Sequence, residues 1–186
     1  FHLSKRQMAK DDEDGWWSLA TLVYKRDDVT PEQLGVVTEH LEEMLGAEMG
    51  GEQVYGMLAD CYRRLYHYDK ELKILEEALS REPLMGSVAL LARYGQVCLR
   101  LKLRTNAEKA FAKALSTDAG NALARMGRGE ALLQQGKAGE ALVHLRQAQT
   151  GVGLDADQKR RVWLLLGEAY LAKGNVKPAR QSFQTV

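Results

Sequence analysis

From residue 52 to the end of the chain, apolar positions recur at spacings of three and four, in paired stretches broken by polar turns. That spacing puts one apolar stripe on each of two consecutive amphipathic helices. The last pair reads RVWLLLGEAYLAKGNVKPARQSF, residues 161–183. Trp163 and Tyr170 are seven apart, so they share a helix face as packing knobs. Gly167 and Ala179 are small enough to let the paired helices approach closely. Gly174 falls where a first helix should end, and Gly136 does the same in the preceding pair; a left-handed cap favours glycine there. Pro178 sits in the first turn of a second helix, where its missing N–H costs little. Asn121 precedes an apolar run and is a predicted N-cap.

The pattern repeats. Stepping back from Gly167, the same small position is held by Gly129, Gly95 and Ala59, at separations of 38, 34 and 36. The base period is 34, with two extra residues around Met85-Gly86 and four within TGVGLDADQ. A second-helix register follows it through Leu75, Phe111, Leu145 and Phe183. With these residues at this period, the chain resembles the tetratricopeptide repeat family over residues 52–186. Each unit departs from the family pattern somewhere: Glu71 stands where the family prefers Ala, Arg125 where it prefers a large aromatic, and only the Tyr55 unit ends in the expected proline, Pro83. The resemblance implies an all-α fold, a right-handed superhelical α-solenoid of helix-turn-helix repeats. Its units are 50–87, 88–121, 122–157 and 158–186, the last truncated at its C-terminal end. Repeats of this kind cannot bury a face alone and gain a continuous core only by stacking.

Residues 14–49 fit the repeat less closely and read as a divergent helix pair. One helix starts at Asp14; the other has Thr30 as N-cap and Pro31 at its first position, with an apolar stripe of Leu34, Val37, Leu41, Met44 and Leu45. Residues 1–13 are polar and read as a linker. Both ends of the sequence look cut, so the chain reads as a fragment.

The net charge of +1 carries no bulk attraction to nucleic acid, and none is expected as a partner. The charge is uneven. Residues 1–93 hold 11 basic and 18 acidic side chains, a balance of −7; residues 94–186 hold 15 and 7, a balance of +8. No run of 18 apolar residues exists, so no membrane insertion by this chain is expected. Cys61 and Cys98 lie in apolar helical stretches and read as buried, reduced thiols. His2, His40, His67 and His144 have no ligand spacing, there is no phosphate-binding GxxxxGK[ST], and nothing positions a nucleophile and base. No cofactor, metal or catalytic residue is predicted, and the chain reads as a non-enzyme.

The resemblance also implies a binding face, since the first helix of each repeat lines a concave groove in this family. Carried over by position, the groove residues are Arg63 and Arg64 in the first unit, and Gln96, Leu99 and Arg100 in the second. The third unit gives Leu123, Met126, Glu130 and Leu133, and the last Leu164, Glu168 and Leu171. Arg63, Arg64 and Arg100 form a basic spot able to hold carboxylates by paired hydrogen bonds. The later leucines and Met126 suit an apolar ligand or serve as inter-helix core. The clamp that holds acidic tails of cytosolic heat-shock chaperones needs Lys and Asn at places that here hold Asp60, Gln96, Glu130 and Glu168, which argues against that role. The expectation is a protein-interaction scaffold holding a peptide or helix of another protein, with Leu133→Glu and Leu171→Glu abolishing binding without unfolding. Two alternatives stand beside it. One is self-association into homo-oligomers through the opposed charges. The other is the cytoplasmic arm of a membrane-anchored assembly factor, as in secretion, exopolysaccharide export or cytochrome maturation, motivated by the basic start HLSKRQMAK. The expected location is cytoplasmic, free or tethered by a segment outside this sequence.

Overall fold

The computed structural model describes residues 28–47 and 51–186. Among these residues there are nine α-helices and no strand: α1 (Pro31–Gly46), α2 (Glu52–Arg64), α3 (Tyr68–Ser80), α4 (Val88–Arg100), α5 (Arg104–Thr117), α6 (Ala122–Gln134), α7 (Ala138–Gln149), α8 (Ala156–Ala172) and α9 (Val176–Gln184). The helix predicted to start at Asp14 and the basic stretch from His2 to Lys10 lie outside the described residues. The chain is an all-α solenoid of stacked helix pairs, α2–α3, α4–α5, α6–α7 and α8–α9, with α1 packed on α2.

Local sequence explains where these helices start and stop. Thr30 caps α1, accepting the Gln33 N–H at 3.3 Å, while the Gln33 side chain accepts from the Thr30 N–H at 3.0 Å. Asp155 and Gln158 close the same reciprocal box on α8. Ser87 and Asn121 cap α4 and α6, each accepting the N–H three residues on. The first helix of each pair ends through a left-handed residue: Gly136 at φ 80° and Gly174 at φ 74°, as the sequence predicts, but Tyr66 at φ 60° and Lys102 at φ 61° in the first two pairs. The backbone bond is the same in all four. The N–H of the following residue reaches back five residues, as in His67 to the Tyr62 carbonyl at 2.9 Å and Lys137 to the Leu132 carbonyl at 2.9 Å.

The core is a chain of apolar clusters strung through the repeats. Tyr55, Ala59, Leu75, Ala78, Leu90 and Val97 join the first pair to the second. Leu91, Cys98, Ala107, Phe111, Ala124 and Ala131 join the second to the third. Leu132, Ala141, Leu145, Val162, Leu165 and Leu166 join the third to the fourth. Small residues set the approach distance. A Cβ on Gly95 would lie 2.5 Å from the Phe111 ring, one on Gly129 2.6 Å from Leu145, and one on Gly167 2.4 Å from Phe183. The spacing that recurs in the sequence is therefore the imprint of helix-to-helix contact.

Ion pairs tie neighbouring repeats across these joints: Asp60 to Arg93 at 2.9 Å, Glu71 to Arg100 at 3.4 Å, Glu108 to Arg128 at 3.0 Å and Glu130 to Arg161 at 2.6 Å. Cys61 and Cys98 are free and buried, and burial pushes both thiols up to about 11. Neither is a nucleophile in that state. No helix among the described residues is long and apolar enough to cross a membrane.

Candidate functional site

The first helices of the four pairs, α2, α4, α6 and α8, face a common concavity of about 1070 Å³. Its walls come from all four repeats. Glu52, Asp60 and Arg63 contribute from α2, and Val88, Ala89, Ala92, Arg93 and Gln96 from α4. Asp118 and Gly120 to Leu123 contribute from the α5–α6 connection and the start of α6; Val152, Gly153, Asp155 and Gln158 come from the α7–α8 connection and the start of α8. A volume of this size is in the range that encloses a ligand, but the cavity is an open trough that runs across helices, a shape suited to an extended chain.

The floor and the rim differ in chemistry. On the floor, Asp60 is buried and accepts from Arg93 at 2.9 Å and from Arg63 at 3.3 Å. A Cβ on Gly56 would rest at ordinary contact distance, 3.7 Å, on the Arg93 guanidinium, so an alanine there would fit against this arrangement. Beside them Glu71 of α3 faces Arg100 of α4, and Arg100 also lies over the Tyr68 ring, 5.7 Å from its centroid. On the rim are helix beginnings. Asp118 accepts from the Gly120 N–H and the Asn121 side chain in the turn before α6, and Asp155 caps α8 by accepting from the Gln158 N–H; both carboxylates give the rim an acidic face.

Of the residues singled out in the sequence, Arg63, Gln96 and Leu123 line this concavity. Arg64 is half-buried and Arg100 exposed on the same helices. Leu99 and Met126 are buried in the cores between repeats; there the apolar stripe is packing material. Leu133 is partly buried against the core of the last two pairs, so Leu133→Glu would strike stability. Leu164 is half-buried and Leu171 half-exposed. Glu130 is held by Arg161, and the exposed Glu168 adds to the negative field at that guanidinium. The sequence-based set omits Glu52, Val88, Arg93, Asn121, Val152, Asp155 and Gln158. The missed signal was the capping pattern: Asn121 and Asp155 mark helix starts, and the stacking gathers those starts on one rim.

No group of three or more potential metal ligands occurs among the described residues. Burial lowers the pKa of His40 and of His144, which keeps both rings neutral around pH 7.

The Tetratricopeptide repeat family model matches residues 52–83 and 161–186. No curated protein sequence matches the chain. Similar solved structures include MamA 41-end from Desulfovibrio magneticus RS-1, at 15% identity over 94% of this chain and 93% of that one, with a TM-score of 0.75. MamA AMB-1 is 19% identical over 92% and 93%, with a TM-score of 0.70. TTC0263, a thermophilic TPR protein in Thermus thermophilus, is 15% identical over 92% and 88%, with a TM-score of 0.68. At such identities the likeness is one of fold.

Proposed function

We propose that this chain, which belongs to the tetratricopeptide repeat family, is a non-catalytic scaffold that holds a segment of another protein along its concave face. The observation that carries this reading is the continuous trough of about 1070 Å³ formed by all four repeats, with exposed apolar and polar side chains interleaved along it. An extended peptide can place alternate side chains against Val88, Ala89 and Leu123 while its backbone meets Gln96. Among the described residues both cysteine thiols are buried and pushed up to about 11, which favours binding over thiol chemistry.

A peptide-library selection tests it. Ala89 is exposed on the trough wall and Val143 is exposed on α7, away from the trough. Peptides selected on the native chain should lose about tenfold or more in affinity to Ala89→Glu, or about 1.4 kcal/mol, and nothing to Val143→Glu. Equal loss in both variants, or in neither, would remove the trough from the account.

Self-association is a second reading, supported by the opposed balances of −7 and +8 in the two halves of the chain. It calls for oligomers at low salt that dissociate as salt screens the charges; a monomer in sedimentation at low salt rules it out.

A further inference from the structure

A second groove lies on the side of the array away from the trough, between the second helices α3 and α5. It has a volume of about 500 Å³, and Leu79, Leu91, Tyr94 and Ala110 line it. Its two walls differ in charge. Lys109 and Lys113 of α5, both exposed, form one wall. Glu76 of α3, which accepts from the Tyr94 hydroxyl at 3.2 Å, marks the other. The lysine pair is peculiar to this repeat. The equivalent places hold Lys73 and Glu77 in α3, Val143 and Gln147 in α7, and Gln181 and Thr185 in α9. The repeat architecture therefore does not call for two lysines there.

The matching surface is on α1. Val36 is 64% exposed, an apolar side chain in the middle of a polar face. At 100° per residue, Glu32, Glu39 and Glu43 run along one side of it and Gln33 and His40 along the other. The three glutamates are exposed. Glu39 and Glu43 are four residues apart, as are Lys109 and Lys113, so each pair spans about 6 Å along its helix. Laid in the groove, α1 can rest Val36 on Leu79 and Ala110 and set Glu39 and Glu43 against the two lysines. Its uncharged edge, Gln33 and the neutral His40, then turns toward Glu76. The apolar stripe of α1 holds it on α2 of its own chain, so the α1 that enters the groove comes from elsewhere.

We propose that the α3–α5 groove is the docking site for α1 of a second copy of this chain. The inference rests on the self-association reading above and gives it a surface on each side. The trough is a poorer seat for an acidic stripe. Its lining sets Glu52, Asp60, Asp118 and Asp155 against Arg63 and Arg93, and both arginines already pair with Asp60. The contact is heterologous, since one surface of each copy meets a different surface of the next. It leaves an unused α1 at one end of the assembly and an unused groove at the other, so growth is head to tail.

Sedimentation velocity at low salt tests it on the native chain and two double variants, Lys109→Glu with Lys113→Glu, and Glu39→Lys with Glu43→Lys. The native chain should form oligomers that shrink as salt is added. Each double variant alone should associate at least about tenfold more weakly, because its α1 and its groove now carry the same sign. Mixed one to one, the two should reassemble. The basic α1 of one then meets the acidic groove of the other, and the remaining acidic α1 meets the remaining basic groove. Recovery on mixing also shows that both variants are folded. Val36→Ser removes the apolar anchor without changing charge and should weaken association about tenfold. A native chain that is monomeric at low salt removes self-association and this surface with it. Oligomers that survive both charge reversals, or variants that stay monomeric when mixed, overturn the docking site while leaving self-association of the native chain standing.

Discussion

The Phe111 ring lies between two glycines, one from its own repeat and one from the next. A Cβ on Gly95 would come within 2.5 Å of it and one on Gly127 within 2.3 Å. Gly95→Ala or Gly127→Ala should therefore cost about 1–3 kcal/mol through forced displacement of a buried ring. Gly139→Ala, where the new methyl meets only the end of Lys173 at 3.7 Å, should gain roughly 0.5–1 kcal/mol from helix propensity; urea unfolding midpoints check both directions. The opposite exchange applies at the helix ends. Tyr66 and Lys102 hold left-handed backbone at places where the later repeats have Gly136 and Gly174. Lys102→Gly should stabilise the chain by roughly 0.5–1 kcal/mol, as relief of left-handed strain exceeds the added freedom of the unfolded chain. At this scale the packing glycines and the glycine caps were legible in the sequence because they recur at the period. The caps at Tyr66 and Lys102 were not, since the helix end there is imposed by the backbone bond back to Tyr62 and Cys98 in spite of residue preference.

Four of the nine described helices carry a side-chain N-cap, Thr30, Ser87, Asn121 and Asp155, and two of these caps, at Thr30 and Asp155, are reciprocal boxes. Asp155→Ala should remove the bond to the Gln158 N–H and cost about 1 kcal/mol, read as a lower thermal midpoint. Element existence and caps were legible in the sequence at Thr30, Asn121 and Gly174, where capping chemistry and periodicity agree. The inward or outward aim of individual residues was less so: position assigns Leu99 and Met126 to the groove, yet both are buried in the apolar clusters between repeats. Glu71 in α3 shows the converse, a charged residue on the core face. Its folded pKa of about 7 lies above the usual Glu value of 4.5. Folding then takes up a proton, so the contribution of Glu71 to stability is full below about pH 4.5, falls as pH rises, and levels off above pH 7. Glu71→Gln should flatten that slope in urea unfolding measured across the same window; an unchanged slope would place the proton elsewhere.

Across the whole molecule, stacking turns four similar units into one trough whose opposite sides differ. The floor at α2 and α4 is rich in guanidinium, and the rim is made of capped helix starts with exposed carboxylates. No single unit or helix contains the trough; it arises where several meet, so a reading by repeat position names Arg63 and Gln96 of its lining but not Asp155 and Gln158. The measurement that bears most directly on the central claim is NMR shift mapping of a library-selected peptide on the native chain. Changes confined to the trough walls, around Asp60–Arg63, Val88–Gln96, Asn121–Leu123 and Gly153–Gln158, with the solvent faces of α5 and α7 silent, are the predicted result. Changes centred on Lys113 and Val143, with the trough silent, would contradict it.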